Sequence, residues 1–231
     1  ATRDARPGRE RPVVEISEPQ ARVKLLVVAT DEETAIAGHA AALLGASGAA
    51  RDPYAIPVAI SVRHVHLTAA TVEALFGPGA RLEPERPVSQ PGQFAARQVV
   101  SLVGPRGRLD RGRGVGHDQV EIARTDEFLL GVDAPARESG GIENTPGIRI
   151  EGPAGSVMLR KGVICALRHV HMTPADAEAF GVQNGDIVDV AIDSDGRDLV
   201  FGDVLIRVRP DFKLEMHVDT DEGNAAGLSS G

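Results

Sequence analysis

Arg-His-Val-His occurs twice in this chain, at residues 63–66 and 168–171, and the two copies hold four of its seven histidines. Side chains alternate between faces along an extended strand, so His64 and His66 point one way together, as do His169 and His171. Each pair offers two imidazole nitrogens at a spacing that suits a divalent metal ion. The match runs outward from the histidines: Val62 through Thr68 answers Leu167 through Thr173, and Glu73-Ala74 answers Glu178-Ala179 at the same offset. Internal duplication is the simplest account. A single His-x-His is common among exposed or hydrogen-bonded histidines, whereas two copies in matching context favour metal.

Two further residues are candidates, Glu121 in Gln119-Val120-Glu121-Ile122 and His217 in Leu214-Glu215-Met216-His217-Val218-Asp219. Both lie in the alternation of a strand, where a polar side chain either faces solvent or enters a polar site; for Glu121 alone, solvent is the simpler reading. His39 and His117 read as surface residues, and Cys165 as a small buried thiol.

The elements that position these residues are short. Val58, Ile60 and Val62 predict a strand running into the first histidine pair, and Val163, Cys165 and Leu167 one running into the second, with Arg168 on the opposite face. Thr68 and Thr173 then predict N-caps for helices over 69–75 and 174–180, with Pro174 at the favoured first position. Val- and Ile-rich runs at 57–62, 98–103, 157–167 and 199–208, punctuated by 26 glycines and 15 prolines, predict a mainly β fold of the kind seen in small barrels.

With 231 residues, 42% hydrophobic and 25% charged, the chain can bury one large core or two small ones, and two suit the repeat better. A formal charge of −8 argues against nucleic acid and anionic membrane as partners, while a local basic pocket for a phosphorylated small molecule stays compatible with it. One cysteine points to a reducing, cytoplasmic setting, and no apolar run approaches the roughly 18 residues of a membrane span. Residues 1–21 read as a flexible Arg-, Glu- and Pro-rich arm and 22–29 as a strand. A helix capped by Thr30 or Asp31 follows, carrying an Ile36, Ala40, Leu43, Leu44 stripe that ends in a Gly- and Ala-rich linker. That stripe packs either on the chain's own core or on a partner.

The chain resembles the PduL-type phosphotransacylases, or phosphate propanoyltransferases, from about Pro57 to Leu228. The resemblance rests on Ile60-Ser61-Val62-Arg63-His64-Val65-His66-Leu67, the stretch Pro87 to Ala95, Gln119-Val120-Glu121-Ile122, Arg137-Glu138-Ser139-Gly140, the second Arg-His-Val-His-Met, and Glu215 to Glu222. It implies two small β-barrel domains, 50–155 and 156–231, with strands near the boundary free to exchange between them. Residues 1–49 would be an arm carrying a microcompartment-targeting helix over 30–45, docking on shell or core proteins. The implied reaction exchanges a short acyl group between coenzyme A and inorganic phosphate at two zinc ions. Carried over residue by residue, the metal ligands are His64, His66, Glu121, His169, His171 and His217, partitioned as a working hypothesis into His64, His66 and Glu121 for one ion and the three others for the second. Ser61, Arg86, Arg113 and Asn224 are the implied CoA contacts. One departure stands out: the family's Gly-Pro-x-Arg stretch, whose arginine is expected to hold phosphate, is missing just before Gln119, where Gly114-Val115-Gly116-His117-Asp118 stands. The same ions could instead serve a thioester or phosphoester hydrolase, or a non-catalytic microcompartment protein with structural zinc.

Overall fold

Short apolar runs between glycines and prolines fold here into short strands: seventeen strands stand against four short helices among the described residues. The computed structural model describes residues 13–15, 26–28, 55–112, 117–194 and 196–229. Residues 1–53 form one unit and residues 54–231 another. In the first, Val13–Glu15 pairs antiparallel with Leu26–Val28. The first of these strands falls where charge density suggested an arm, and its two β-branched valines supply strand propensity. The helix expected over 30–45, His39 and Arg113 lie outside the described residues.

In residues 54–231 the two histidine strands belong to different sheets. His64–His66 is the edge of a four-stranded sheet ordered His64–His66, Gln119–Glu121, Val163–Ala166, Ala136–Arg137. His169–Met172 is the centre of a five-stranded sheet ordered Ile187–Ile192, Leu199–Val208, His169–Met172, Glu215–Asp219, Val58–Ser61. A second four-stranded sheet comprises Ser156–Leu159, Ile148–Glu151, Val100–Val103 and Arg108–Gly112, and Pro84–Pro87 pairs with Phe94–Ala96. These sheets are open among the described residues, since closure requires the two edge strands of a sheet to pair and none do. The structure is mainly β, without a closed barrel among the described residues.

The strands expected to run unbroken into the histidines are interrupted, and the interruption exchanges them between sheets. Val58–Ser61 pairs parallel with Glu215–Asp219, after which the chain crosses at Val62 and Arg63 and His64–His66 pairs antiparallel with Gln119–Glu121. In mirror fashion, Val163–Ala166 pairs parallel with Gln119–Glu121, and His169–Met172 pairs antiparallel with Glu215–Asp219. The arginine at each crossing is captured by the helix after the partner strand. Arg63 donates through Nε and Nη2 to Asp126 at 2.9 and 2.6 Å, and Arg168 Nε pairs with Glu222 at 2.8 Å.

Two hydrophobic cores result. One gathers Val65, Leu75, Leu102, Val120, Ile150 and Val163; the other gathers Val170, Met172, Val204, Ile206, Met216 and Val218, with Val58 and Ile60 packed against it. Leu75 and Leu102 are fully buried, so truncating either to alanine would cost about 2–5 kcal/mol. The run over 157–167 is likewise two strands, because Gly162 at φ +116° turns the chain and gives its N–H to Thr145 Oγ1 at 2.8 Å.

The capped helices form as expected over Ala69–Phe76 and Pro174–Phe180. Thr68 accepts from Thr71 N, and its own N–H and hydroxyl bind Asp118; Thr173 and Asp176 form a capping box. The other helices, Arg124–Leu130 and Thr220–Ala225, each follow a site strand. No helix among the described residues is long and apolar enough to cross a membrane.

Candidate metal centre

Strand alternation and cross-strand register together build two clusters. His64 lies directly opposite Glu121, and His66 two residues on shares its face. His169 lies directly opposite His217, with His171 beside it. The ligand atoms of His64, His66 and Glu121 all lie within 4.8 Å of one another, and so do those of His169, His171 and His217. Each set can hold one metal ion. Such three-ligand sets leave a coordination position for water or substrate, as catalytic zinc sites do.

The backbone orients one imidazole in each cluster the same way. Nδ1 of His64 donates to the Val62 carbonyl at 3.0 Å, and Nδ1 of His169 donates to that of Leu167 at 2.7 Å. A carbonyl can only accept, so both rings are protonated at Nδ1 and keep the Nε2 lone pair for a ligand. The carbonyls come from the two crossing segments. The fold that swaps the strands therefore also aims the histidines.

Glu121 is buried, with Oε2 3.4 Å from His64 Nε2 and Oε1 3.5 Å from His66 Nε2. It accepts hydrogen bonds from Ser139 Oγ at 2.7 Å and Gln119 Nε2 at 2.5 Å. Burial by itself would raise its pKa, but His64, His66 and Ser139 outweigh burial and hold the carboxyl far below the ordinary carboxylate range. It is an anion aimed at two imidazoles, which settles the solvent alternative against that reading.

The second cluster is drier. Both ring nitrogens of His171 are buried without a hydrogen-bond partner, and its ring stacks on Phe212 with centroids 4.0 Å apart. Burial, reinforced by His169 and His217, pushes the His171 pKa down to about 2. Burial likewise takes His169 to about 4, with the Leu167 carbonyl opposing, and lowers His217. Three neutral imidazoles with unspent lone pairs form a donor set suited to a metal ion.

Behind His217 stands a carboxylate that sequence reading did not single out. Glu215 Oε2 lies 3.1 Å from His217 Nε2, so a proton on Nε2 can be shared with it while the lone pair sits on Nδ1. Ser89 Oγ and Gln90 Nε2 both donate to Glu215, and Gln90 also bonds the backbone of Lys213 at both ends of its amide. Asp126, Glu222 and Gln119 were missed as well. The Asp219-x-x-Glu222 capping box was the one local signal that could have revealed the last helix and its Glu222.

A small cleft lies between the two clusters, lined by Ser61, Arg63, His64, Glu121, His169 and His217 among others. Ser61 is thus placed at the cleft. Arg86 and Asn224 are exposed and outside its lining, Asn224 offering its carbonyl to Arg197 at 3.2 Å. His117 is exposed as expected, yet it stacks on His66 at 5.6 Å and its Nε2 lies 3.0 Å from Gln119 Oε1. Cys165 is a buried thiol whose pKa burial raises to about 12.

Residues 57–229 match the family model described as phosphate propanoyltransferase. The phosphate propanoyltransferase of Thermotoga maritima is 54% identical over 180 residues, covering 76% of this chain and 86% of that protein. That of Salmonella typhimurium is 51% identical over 179 residues, covering 76% and 85%. That of Priestia megaterium is 48% identical over 180 residues, covering 76% and 82%.

Proposed function

The chain belongs to the phosphate propanoyltransferase family of acyltransferases, and from that premise we propose that it exchanges a propanoyl or acetyl group between coenzyme A and inorganic phosphate at a two-metal site. The observation that carries this reading is the single cleft onto which both clusters open.

His64, His66 and Glu121 would hold one zinc ion and His169, His171 and His217 the other. The donor sets fit: each supplies three nitrogen or oxygen ligands, and the orphaned nitrogens of His171 find no other use in the fold. Bound zinc supplies Lewis acidity for the thioester carbonyl and a seat for the sulfur that leaves. The chain's own residues do the rest. Val62, Ile122, Leu167 and Val218 also border the cleft beside the ligand residues. Ser61 at the cleft is in position to contact CoA, and Arg86, Arg113 and Asn224 are the further proposed CoA contacts. In the reaction a phosphate oxygen bonds to the carbonyl carbon, the carbon–sulfur bond breaks, and the proton of hydrogen phosphate ends on the CoA thiol.

The repeated pairing of strands supports reading 50–155 and 156–231 as duplicated halves that exchange their leading strands. Residence in a microcompartment, through a helix over 30–45, is part of the same proposal.

The deciding experiment is CoA release from propanoyl-CoA by the metal-loaded protein with and without phosphate. Release should require phosphate and yield propanoyl phosphate. Release at an equal rate without phosphate, leaving propanoate, would make the protein a hydrolase. No turnover by the fully metal-loaded protein would leave a binding role.

A further inference from the structure

An attacking phosphate needs a cation close to the metal ligands, and the arginine expected before Gln119 is absent from the sequence. The register of the five-stranded sheet offers another. In its parallel ladder His171 is aligned with Arg207, and in its antiparallel ladder with Glu215. Aligned residues on neighbouring strands share a face at about 5 Å, so Arg207, His171 and Glu215 form one row across the site face of the sheet.

The surroundings of Arg207 suit an anion. Its Nε pairs with Glu138 Oε1 at 3.0 Å, and neither terminal nitrogen has a hydrogen bond to a described residue. Its side chain is 22% exposed, enough for a small ion to reach. Glu138 adjoins Ser139, which bonds Glu121 of the other cluster, so one short loop ties the arginine to both halves of the site. The guanidinium lies over Phe212, 5.8 Å from its centroid, and Phe212 stacks on His171. Of the nearby described arginines, Arg63 gives two bonds to Asp126, Arg209 gives two to Asp211, and Arg168 lies over Phe201 on the core side of the sheet.

Resting on the acyl-transfer reading above, we propose that Arg207 is a phosphate-binding residue that holds the attacking inorganic phosphate at the rim of the second histidine cluster. The phosphates of CoA are excluded from this place by chemistry. The whole pantetheine arm separates them from the sulfur, whereas the attacking phosphate must come within about 3–3.5 Å of the acyl carbon. A guanidinium with both terminal nitrogens free matches a phosphate edge.

The test is inorganic phosphate binding to the metal-loaded full chain by calorimetry, alongside KM for phosphate and for propanoyl-CoA. R207Q should raise the phosphate Kd and KM about 10- to 100-fold while metal content and KM for propanoyl-CoA stay unchanged. R207K keeps the charge but loses the fork, and should weaken phosphate about 5- to 10-fold. An unchanged phosphate Kd in either folded variant overturns the assignment, as does a rise in KM for propanoyl-CoA in its place. Calorimetry needs no turnover. Wild-type protein that binds phosphate but transfers no acyl group would sink the acyl-transfer reading and leave this site standing, whereas wild-type protein that binds no phosphate overturns the site itself.

Discussion

The two clusters are built on one plan and differ in where the carboxylate stands. In the first, the strand opposite the histidines reads Gln119-Val120-Glu121, and the glutamate itself faces the imidazoles at 3.4 and 3.5 Å. In the second it reads Glu215-Met216-His217, and the carboxylate backs an imidazole from 3.1 Å. Each serine partner follows its carboxylate: Ser139 binds Glu121 and Ser89 binds Glu215. The first cluster is also more open, with 29% and 24% of the His64 and His66 side chains exposed, while His171 and Glu215 are buried. A symmetric frame thus carries an accessible site with a carboxylate among its donors beside a drier one whose donors are three imidazoles. A thioester has two ends to be handled differently, and such a pair of sites can divide that work.

The largest effects should come from removing either histidine pair. H64A/H66A and H169A/H171A should each lower zinc from two ions to one per chain by elemental analysis and reduce acyl transfer by several orders of magnitude. Unchanged metal in either double variant would break the two-site comparison. A more selective probe is Glu215→Gln, which keeps the shape and removes the charge behind His217. Chelator competition should show about 10- to 100-fold weaker binding of one ion and normal binding of the other. Equal weakening of both would mean that the carboxylate serves the fold rather than the second cluster.

The smallest effect concerns the metal-free protein. His169 and His171 have folded pKa values of about 4 and about 2, below the ordinary value of 6.5. The unfolded chain therefore binds protons first as pH falls. The stability gained by burying them neutral is complete above 6.5 and is lost as pH drops toward 4, by on the order of 1 kcal/mol per pH unit for each histidine. Urea unfolding of metal-free protein between pH 7.5 and 5 checks this. H169A/H171A should flatten the profile, and a wild-type profile already flat would show the second cluster to be wet.

What could be read without coordinates was local. Thr68 and Thr173 cap their helices because the partners of a cap lie within one turn, and Pro174 needs no distant neighbour to favour a first helical position. Alternation placed each histidine pair on one face for the same reason. Alternation cannot say which face is buried, however, so Glu121 stayed open between solvent and site until the antiparallel register set it opposite His64. The uninterrupted strands expected before each histidine pair failed for a related reason. Their breaks are made by Asp126 and Glu222, which lie 63 and 54 residues from the arginines they hold.

The sequence by itself determined the repeated Arg-His-Val-His units, their capped helices, the mainly β character and the family resemblance, since these depend on residue type and on neighbours a few positions apart. Tertiary structure alone decided the exchange of leading strands between the sheets, the Ser89–Gln90–Glu215 brace behind His217, and the row of Arg207, His171 and Glu215. Gln90 and Glu215 are 125 residues apart, and the contact between them exists only because strand register and burial bring their backbones together. A side chain's neighbours along the chain are fixed by covalent geometry, but its neighbours across a sheet are set by the burial of everything else on that face.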